Sequence, residues 1–273
     1  MNKSSVSEKK QVLIPRKFIK VFILLIILLG VCILASLAFG SRMVDWTDVL
    51  NGLFHSDVQS HEANVVRQRM VRTIFSLMCG AALGVSGALM QSVTRNPIAD
   101  PSILGVNTGA SLFVVCGIAF LNINSADEYI WLAIAGAILT AIFVFGIGSM
   151  GSSGTTPLKL VLAGAATSAI LSSLVVAVMI PRTNVMDQFR FWQVGSVGGG
   201  NWDSISLFIP FLLIGFLIAI FTAPALNALA LGEDVATGLG VRTGTIRFAA
   251  ASGAVVLCGA ATALAGPIGF IGV

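Results

Sequence analysis

The sequence predicts an all-α, polytopic membrane helical bundle, and three observations predict it. Of its 273 residues 56% are hydrophobic and only 10% are charged, with a mean hydropathy of +0.95. Water-soluble domains carry about 25% charged residues, whereas lipid lets apolar side chains face outward as well as inward. Seven apolar runs, each of roughly the 20 residues a helix needs to cross the hydrocarbon, follow one another along the chain. Lys3, Lys9, Lys10, Arg16, Lys17 and Lys20 crowd the start of the first run against a lone Glu8. By the positive-inside rule residues 1–17 are a basic cytoplasmic anchor, and residues 18–273 form one membrane domain. With no interleaved aromatics and a span directly behind it, the basic cluster is not a nucleic-acid patch.

The first span covers residues 18–39. It is too long for a signal-peptide core and has no small-x-small cleavage site, so it stays as a helix. The connection 40–68 is polar and lies outside. Within it Met43 to Leu50 reads as a short surface helix, with Asp45 as its cap and Trp46 at the interface. His55 and His61 are six residues apart in this loop without a third ligand, and read as solvated residues rather than a metal site. The second span, 71–93, ends at Arg95, whose charge suits the negative end of a helix dipole. Pro97 and Pro101 stop that helix, and Asp100 caps the third span, 102–120, with Pro101 in its first turn.

The fourth span, 129–147, is followed by an inner linker, Gly151-Ser152-Ser153-Gly154-Thr155-Thr156-Pro157, and then by the fifth span, 158–180. Between 181 and 203, Trp192 and Trp202 bracket Gly195, Gly198, Gly199 and Gly200, which reads as a bend or broken helix anchored by aromatics at headgroup depth. The sixth span, 205–222, leads past Pro224 into an inner hairpin. There Gly232 ends one short helix, and Glu233 with Asp234 favour the start of another. Leu226, Leu229, Val235 and Leu239 offer apolar contacts to a soluble partner, since acids sit badly beside anionic headgroups. The seventh span is 246–265.

Several classes are excluded. No span carries an ionisable residue at its centre, which argues against an ion-coupled secondary transporter. The chain has no Gly-x-x-x-x-Gly-Lys-Ser/Thr phosphate cradle, and no catalytic dyad or metal constellation falls in a span, so it is not an enzyme. Cys32, Cys79, Cys116 and Cys258 lie one each in four apolar runs and read as buried small hydrophobes. Arg95, Lys159, Arg242 and Arg247 fall inside, in keeping with the charge rule. Arg67, Arg69 and Arg72 cluster on the outside against it and call for another role.

A run of ordered motifs carries a family resemblance. Arg72-Thr73, Gly80-Ala81-Ala82-Leu83-Gly84, Ser86-Gly87-Ala88, Gln91, Arg95-Asn96-Pro97-Ile98-Ala99-Asp100-Pro101 and Leu104-Gly105 come first. Leu162-Ala163-Gly164, Phe191-Trp192, Gly195-Ser196, Leu231-Gly232-Glu233, Leu239-Gly240-Val241 and Ala265-Gly266-Pro267-Ile268-Gly269-Phe270-Ile271-Gly272 follow. Covering nearly everything after Arg67, they resemble the FecCD permeases of bacterial iron-siderophore, haem and cobalamin ABC importers.

The resemblance implies a fold of about ten spans per subunit, two subunits enclosing one path, so the chain, with about seven, is expected to be incomplete at its C-terminus. It implies a multi-pass protein of the bacterial cytoplasmic membrane that carries ferric siderophore by alternating access, with haem or cobalamin as the alternative cargo. The implied partners are a second permease subunit, identical or paralogous, ABC ATPase subunits and an extracytoplasmic substrate-binding protein. ATP and Mg belong to the ATPase, and the chain itself holds no cofactor. Leu231, Gly232, Glu233, Asp234, Leu239 and Gly240 match the loop that seats in the ATPase. Arg69 and Arg72 match outer arginines that pair with acids of the binding protein. Ser152, Ser153, Thr155 and Thr156 are candidates for the inner gate. Gly266 and Pro267 are candidates for the outer mouth, where they break a helix and aim backbone groups at the path.

Overall fold

Every apolar run folds as a helix in the computed structural model, which describes residues 16–40, 44–54, 60–121, 123, 126–150 and 156–268. Among the described residues there is no strand. In chain order the helices are α1 (Arg16–Ala38), α2 (Trp46–Phe54), α3 (His61–Thr94), α4 (Val106–Leu121), α5 (Ala126–Gly148), α6 (Pro157–Met179), α7 (Thr183–Val194), α8 (Trp202–Ala230), α9 (Glu233–Gly238) and α10 (Thr243–Ala265). Six of them, α1, α3, α5, α6, α8 and α10, are long and apolar enough to cross a membrane. The expected third span is the exception: α4 has 16 residues, a length of about 24 Å against a hydrocarbon core of about 30 Å.

The packing divides the chain at Thr73–Ile74. In the first unit Leu37, Val49 and Val66 form a small core, with Ile33, Val44, Leu53 and Met70 packed against it. That core is why α3 starts at His61 and not at residue 71. Ala63 and Val66 are buried, and the Ser60 hydroxyl accepts from the Ala63 amide at 3.1 Å as a cap. Asp45 stands at the expected N-cap position of α2, its carbonyl accepting from Val49 N at 3.0 Å. The rest of α1 presents Phe22, Leu25, Ile26 and Leu29 outward, as suits a helix in lipid. Cys32 lies on that exposed face, so the expectation of burial fails for it. Cys79 and Cys258 are buried and Cys116 is half-buried.

In the second unit small residues let helices touch backbone to backbone. A Cβ on Gly136 of α5 would stand 2.4 Å from the Gly109 carbonyl oxygen of α4. Before α4 the chain enters the bundle as a single 3₁₀ turn, Pro101–Leu104, so the cap at Asp100 serves that turn rather than a full span. Non-helical backbone inside a helical bundle needs protein around it to cover its polar groups. Here Ala99, Pro101 and Leu104 are buried, and Gly164 of α6 lies against the Ile103 carbonyl. The Asp100 carboxylate accepts from the Ser102 amide at 2.8 Å and from its hydroxyl at 2.6 Å. Gly105, at φ +73°, redirects the chain into α4. Asp100→Ala is expected to lower the stability of the detergent-solubilised protein by about 1 kcal/mol, the usual cost of a lost cap, read as a fall in melting temperature.

The sixth span also departs from expectation. α8 continues through Pro210 and Pro224 to Ala230, so residues 225–230 are its last turns and not a separate surface helix. Leu226 and Leu229 are buried there, and their packing outweighs the backbone bond that Pro224 removes. They are unavailable to a soluble partner. α10 is the most deeply buried of the long helices. Two polar contacts tie it to its neighbours: Ser86 Oγ donates to Ala254 O at 2.8 Å, and Thr262 Oγ1 donates to Asn107 Oδ1 at 2.9 Å.

Candidate functional site: the hairpin between α8 and α10

The hairpin is built on two glycines. Gly232, at φ +129°, and Gly240, at φ +83°, flank α9. An L side chain would be strained in that backbone region, so glycine permits both reversals. Between them Ala236 is fully buried, and its carbonyl accepts from the Val241 amide at 3.0 Å to close the loop. Thr237 Oγ1 donates to the Glu233 carbonyl at 2.8 Å. The apolar side chains left over point outward: Leu231, Val235 and Leu239 are 72%, 49% and 66% exposed. Asp234 is exposed beside them.

Two arginines hold this hairpin. Arg95, itself left-handed at φ +52°, donates its guanidinium to the Leu229 carbonyl near the end of α8. The expectation had it serving the end of its own helix; instead it reaches a carbonyl in the last turn of another, one that also accepts from the Gly232 amide at 3.1 Å. Arg247, in the first turns of α10, grips Glu233 fork to fork, Nη1 to Oε1 and Nη2 to Oε2, both at 3.1 Å. Its side chain is 8% exposed against 49% for that of Glu233. Sequence reasoning placed Arg247 only as an inner positive charge. The missed signal was an arginine inside an apolar helix, where a charge needs a partner, and an acid at the nearby chain reversal is the natural one. A cavity of about 470 Å³ adjoins the hairpin, lined in part by Gln91, Arg95, Asn96, Pro97, Leu226 and Asn227.

The other expected site residues fall in separate places. Thr156 caps α6, with its hydroxyl accepting from Lys159 N at 3.4 Å. Ser152, Ser153 and Thr155 lie outside the described residues. At the opposite end of α10, Ala265 O accepts from the Ser196 amide at 2.7 Å. Gly266, at φ +83°, is buried, and a Cβ there would meet Trp192 O at 2.5 Å. The Ala265 carbonyl is therefore taken up within the chain, and Gly266 serves close packing, with Pro267 half-buried after it. The expected broken segment before α8 is mostly the helix α7, which ends at Gly195. In the first unit Arg69 Nη1 donates to Leu37 O at 3.0 Å and Ala38 O at 3.1 Å, the last carbonyls of α1. Arg72, further along α3, is exposed. The two arginines are thus unlike: Arg69 secures a helix end, and Arg72 lies exposed further along the same helix.

Known proteins resemble this chain in sequence and in fold. The model of the FecCD transport family matches residues 26–273. The "Probable siderophore transport system permease protein YfiZ" of Bacillus subtilis is 38% identical over 253 residues, 93% of this chain and 76% of that one. The ferric enterobactin transport system permease protein FepD of Escherichia coli is 40% identical over 249 residues, 91% of this chain and 74% of its own length. The solved structure "An inward-facing conformation of a putative metal-chelate type ABC transporter" superposes with a TM-score of 0.74 at 25% identity, covering 92% of this chain and 77% of that one. Helices of spanning length and apolarity, the hairpin on its paired glycines, and these matches agree: the chain is a multi-pass membrane protein and belongs to the FecCD transport family.

Proposed function

We propose that the chain is the transmembrane permease subunit of an ABC importer that moves ferric siderophore across the bacterial cytoplasmic membrane on ATP hydrolysed by a separate subunit. The observation that carries this reading is the hairpin: a short helix anchored from behind, with Leu231, Val235 and Leu239 exposed and Asp234 beside them. Such a surface suits a groove on a soluble protein, apolar at its centre and charged at its rim. The names of relatives that carry siderophores, ferric citrate and hydroxamates support the cargo. In this reading the hairpin end faces the cytosol with the basic N-terminus, and Leu231, Gly232, Glu233, Asp234, Leu239 and Gly240 make up the ATPase-coupling loop.

The partners are a second permease subunit, ABC ATPase subunits that bind ATP and Mg, and an extracytoplasmic substrate-binding protein. Arg72 presents its charge to acids of that binding protein, and Arg69 supports it by holding α1. Such rim charges steer and orient docking more than they add affinity. Ser152, Ser153, Thr155 and Thr156 form the inner gate before α6. Gly266 and Pro267 act at the outer mouth by fixing the corner against α7. Deletion of the gene is expected to abolish growth on ferric siderophore as the iron source while sparing growth on ferrous salt. Loss confined to haem or cobalamin use would reassign the cargo, and uptake that persists without ATP would remove the importer reading.

A further inference from the structure

We propose that Arg247 is the positioning residue through which displacement of the hairpin reaches the far end of the bundle, with α10 as the connecting rod. The proposal deepens the importer reading above and rests on it.

The hairpin hangs from two legs of unlike stiffness. On one side it continues α8, in which Pro224 lacks the N–H that would bond the Ile220 carbonyl and so softens the last turns. On the other side it is tied to α10 by the double contact between Glu233 and Arg247. A fork-to-fork pair fixes orientation as well as distance. Among the described residues the guanidinium has no other hydrogen-bond partner, and its Nε is buried without one. α9 therefore cannot swing while Arg247 stays still.

α10 is suited to pass that movement on. Its 23 residues include no proline, and they span about 34 Å. It is the most deeply buried long helix. At its far end Ala265 O is bonded to Ser196 N at 2.7 Å, and Gly266 lies so close to Trp192 and Gly195 that a Cβ would fall 2.5 Å from the one and 2.6 Å from the other. Close-packed contacts of this kind transmit strain instead of absorbing it. A push on α9 thus arrives at the corner that joins α7 to α8.

The test uses the full complex in proteoliposomes: the chain with its ATPase and binding protein, and radiolabelled ferric siderophore as the probe. Arg247→Gln is expected to lower uptake per ATP hydrolysed about tenfold, within the usual range of coupling energies. Arg247→Lys, which keeps the charge and loses the fork, gives an intermediate ratio and covers the case in which the glutamine variant fails to assemble. Wild-type uptake per ATP in both Arg247→Gln and Arg247→Lys, or reduced complex yield with an unchanged ratio, overturns the proposal and leaves Arg247 a structural residue. A wild-type complex that shows no ATP-driven uptake fails the importer reading itself, before any variant is compared.

Discussion

Gly164→Ala is expected to destabilise the membrane domain strongly. The alanine Cβ would stand 1.8 Å from the Ile103 carbonyl oxygen and 2.9 Å from its carbon. Neither side can yield by rotating a side chain, because both are backbone. The 3₁₀ turn is pinned by the Asp100 cap in front, buried Leu104 within and the positive φ of Gly105 behind. Overpacking a core ordinarily costs about 1–3 kcal/mol, and a backbone collision belongs at or above the upper end. At about 2–4 °C per kcal/mol for a chain near this size, melting should fall by about 10 °C or more. Gly84→Ala is the control, since nothing lies within 4 Å of its added carbon. Size-exclusion and thermal melting of the two variants in detergent decide the matter, and a Gly164→Ala protein that melts with wild type would show that α6 and the turn do not meet.

The second large effect concerns the ATPase. Leu231→Asp combined with Leu239→Asp is expected to reduce recovery of the ATPase in a pull-down about 30-fold, the consequence of losing about 2 kcal/mol from the centre of an interface. Both side chains are mostly exposed, at 72% and 66%, so the melting temperature should stay close to wild type. These sites isolate docking in a way that Glu233 does not. Replacing Glu233 with arginine would alter the docking face. The contact with Arg247 means it would also set two cations against each other and leave a buried guanidinium unpaired, which costs about 3–5 kcal/mol when both partners are fully buried and less with Glu233 half-exposed. Full recovery of the ATPase with the double leucine variant would remove the hairpin from the interface.

Much of this protein is legible in the chain itself. The length and spacing of the apolar runs determine the helices, because in lipid a backbone must satisfy its own hydrogen bonds and a helix is the local way to do so. Gly232 before Glu233 and Asp234 marks the start of α9, and Asp100 before Pro101 marks a cap, because both signals act within a few residues. Boundaries were less legible where tertiary packing overrides local chemistry. Pro224 argued for a break, yet burial of Leu226 and Leu229 keeps α8 helical past it. Residues 61–68 read as part of a polar loop, yet Ala63 and Val66 are buried and extend α3.

The candidate site divides in the same way. That an exposed, acidic hairpin follows the sixth span could be read from residue order alone. That Arg95 reaches Leu229, that Arg69 closes the end of α1 and that Arg247 grips Glu233 could not, since each joins a side chain to a group well away in sequence. The sequence by itself determined which segments are helical and which face is apolar, because those follow from hydrogen bonding and solvation acting residue by residue. Only the tertiary structure decided which charges hold helix ends and which grip another side chain, because a charge takes the nearest acceptor in space, and space is set by the packing.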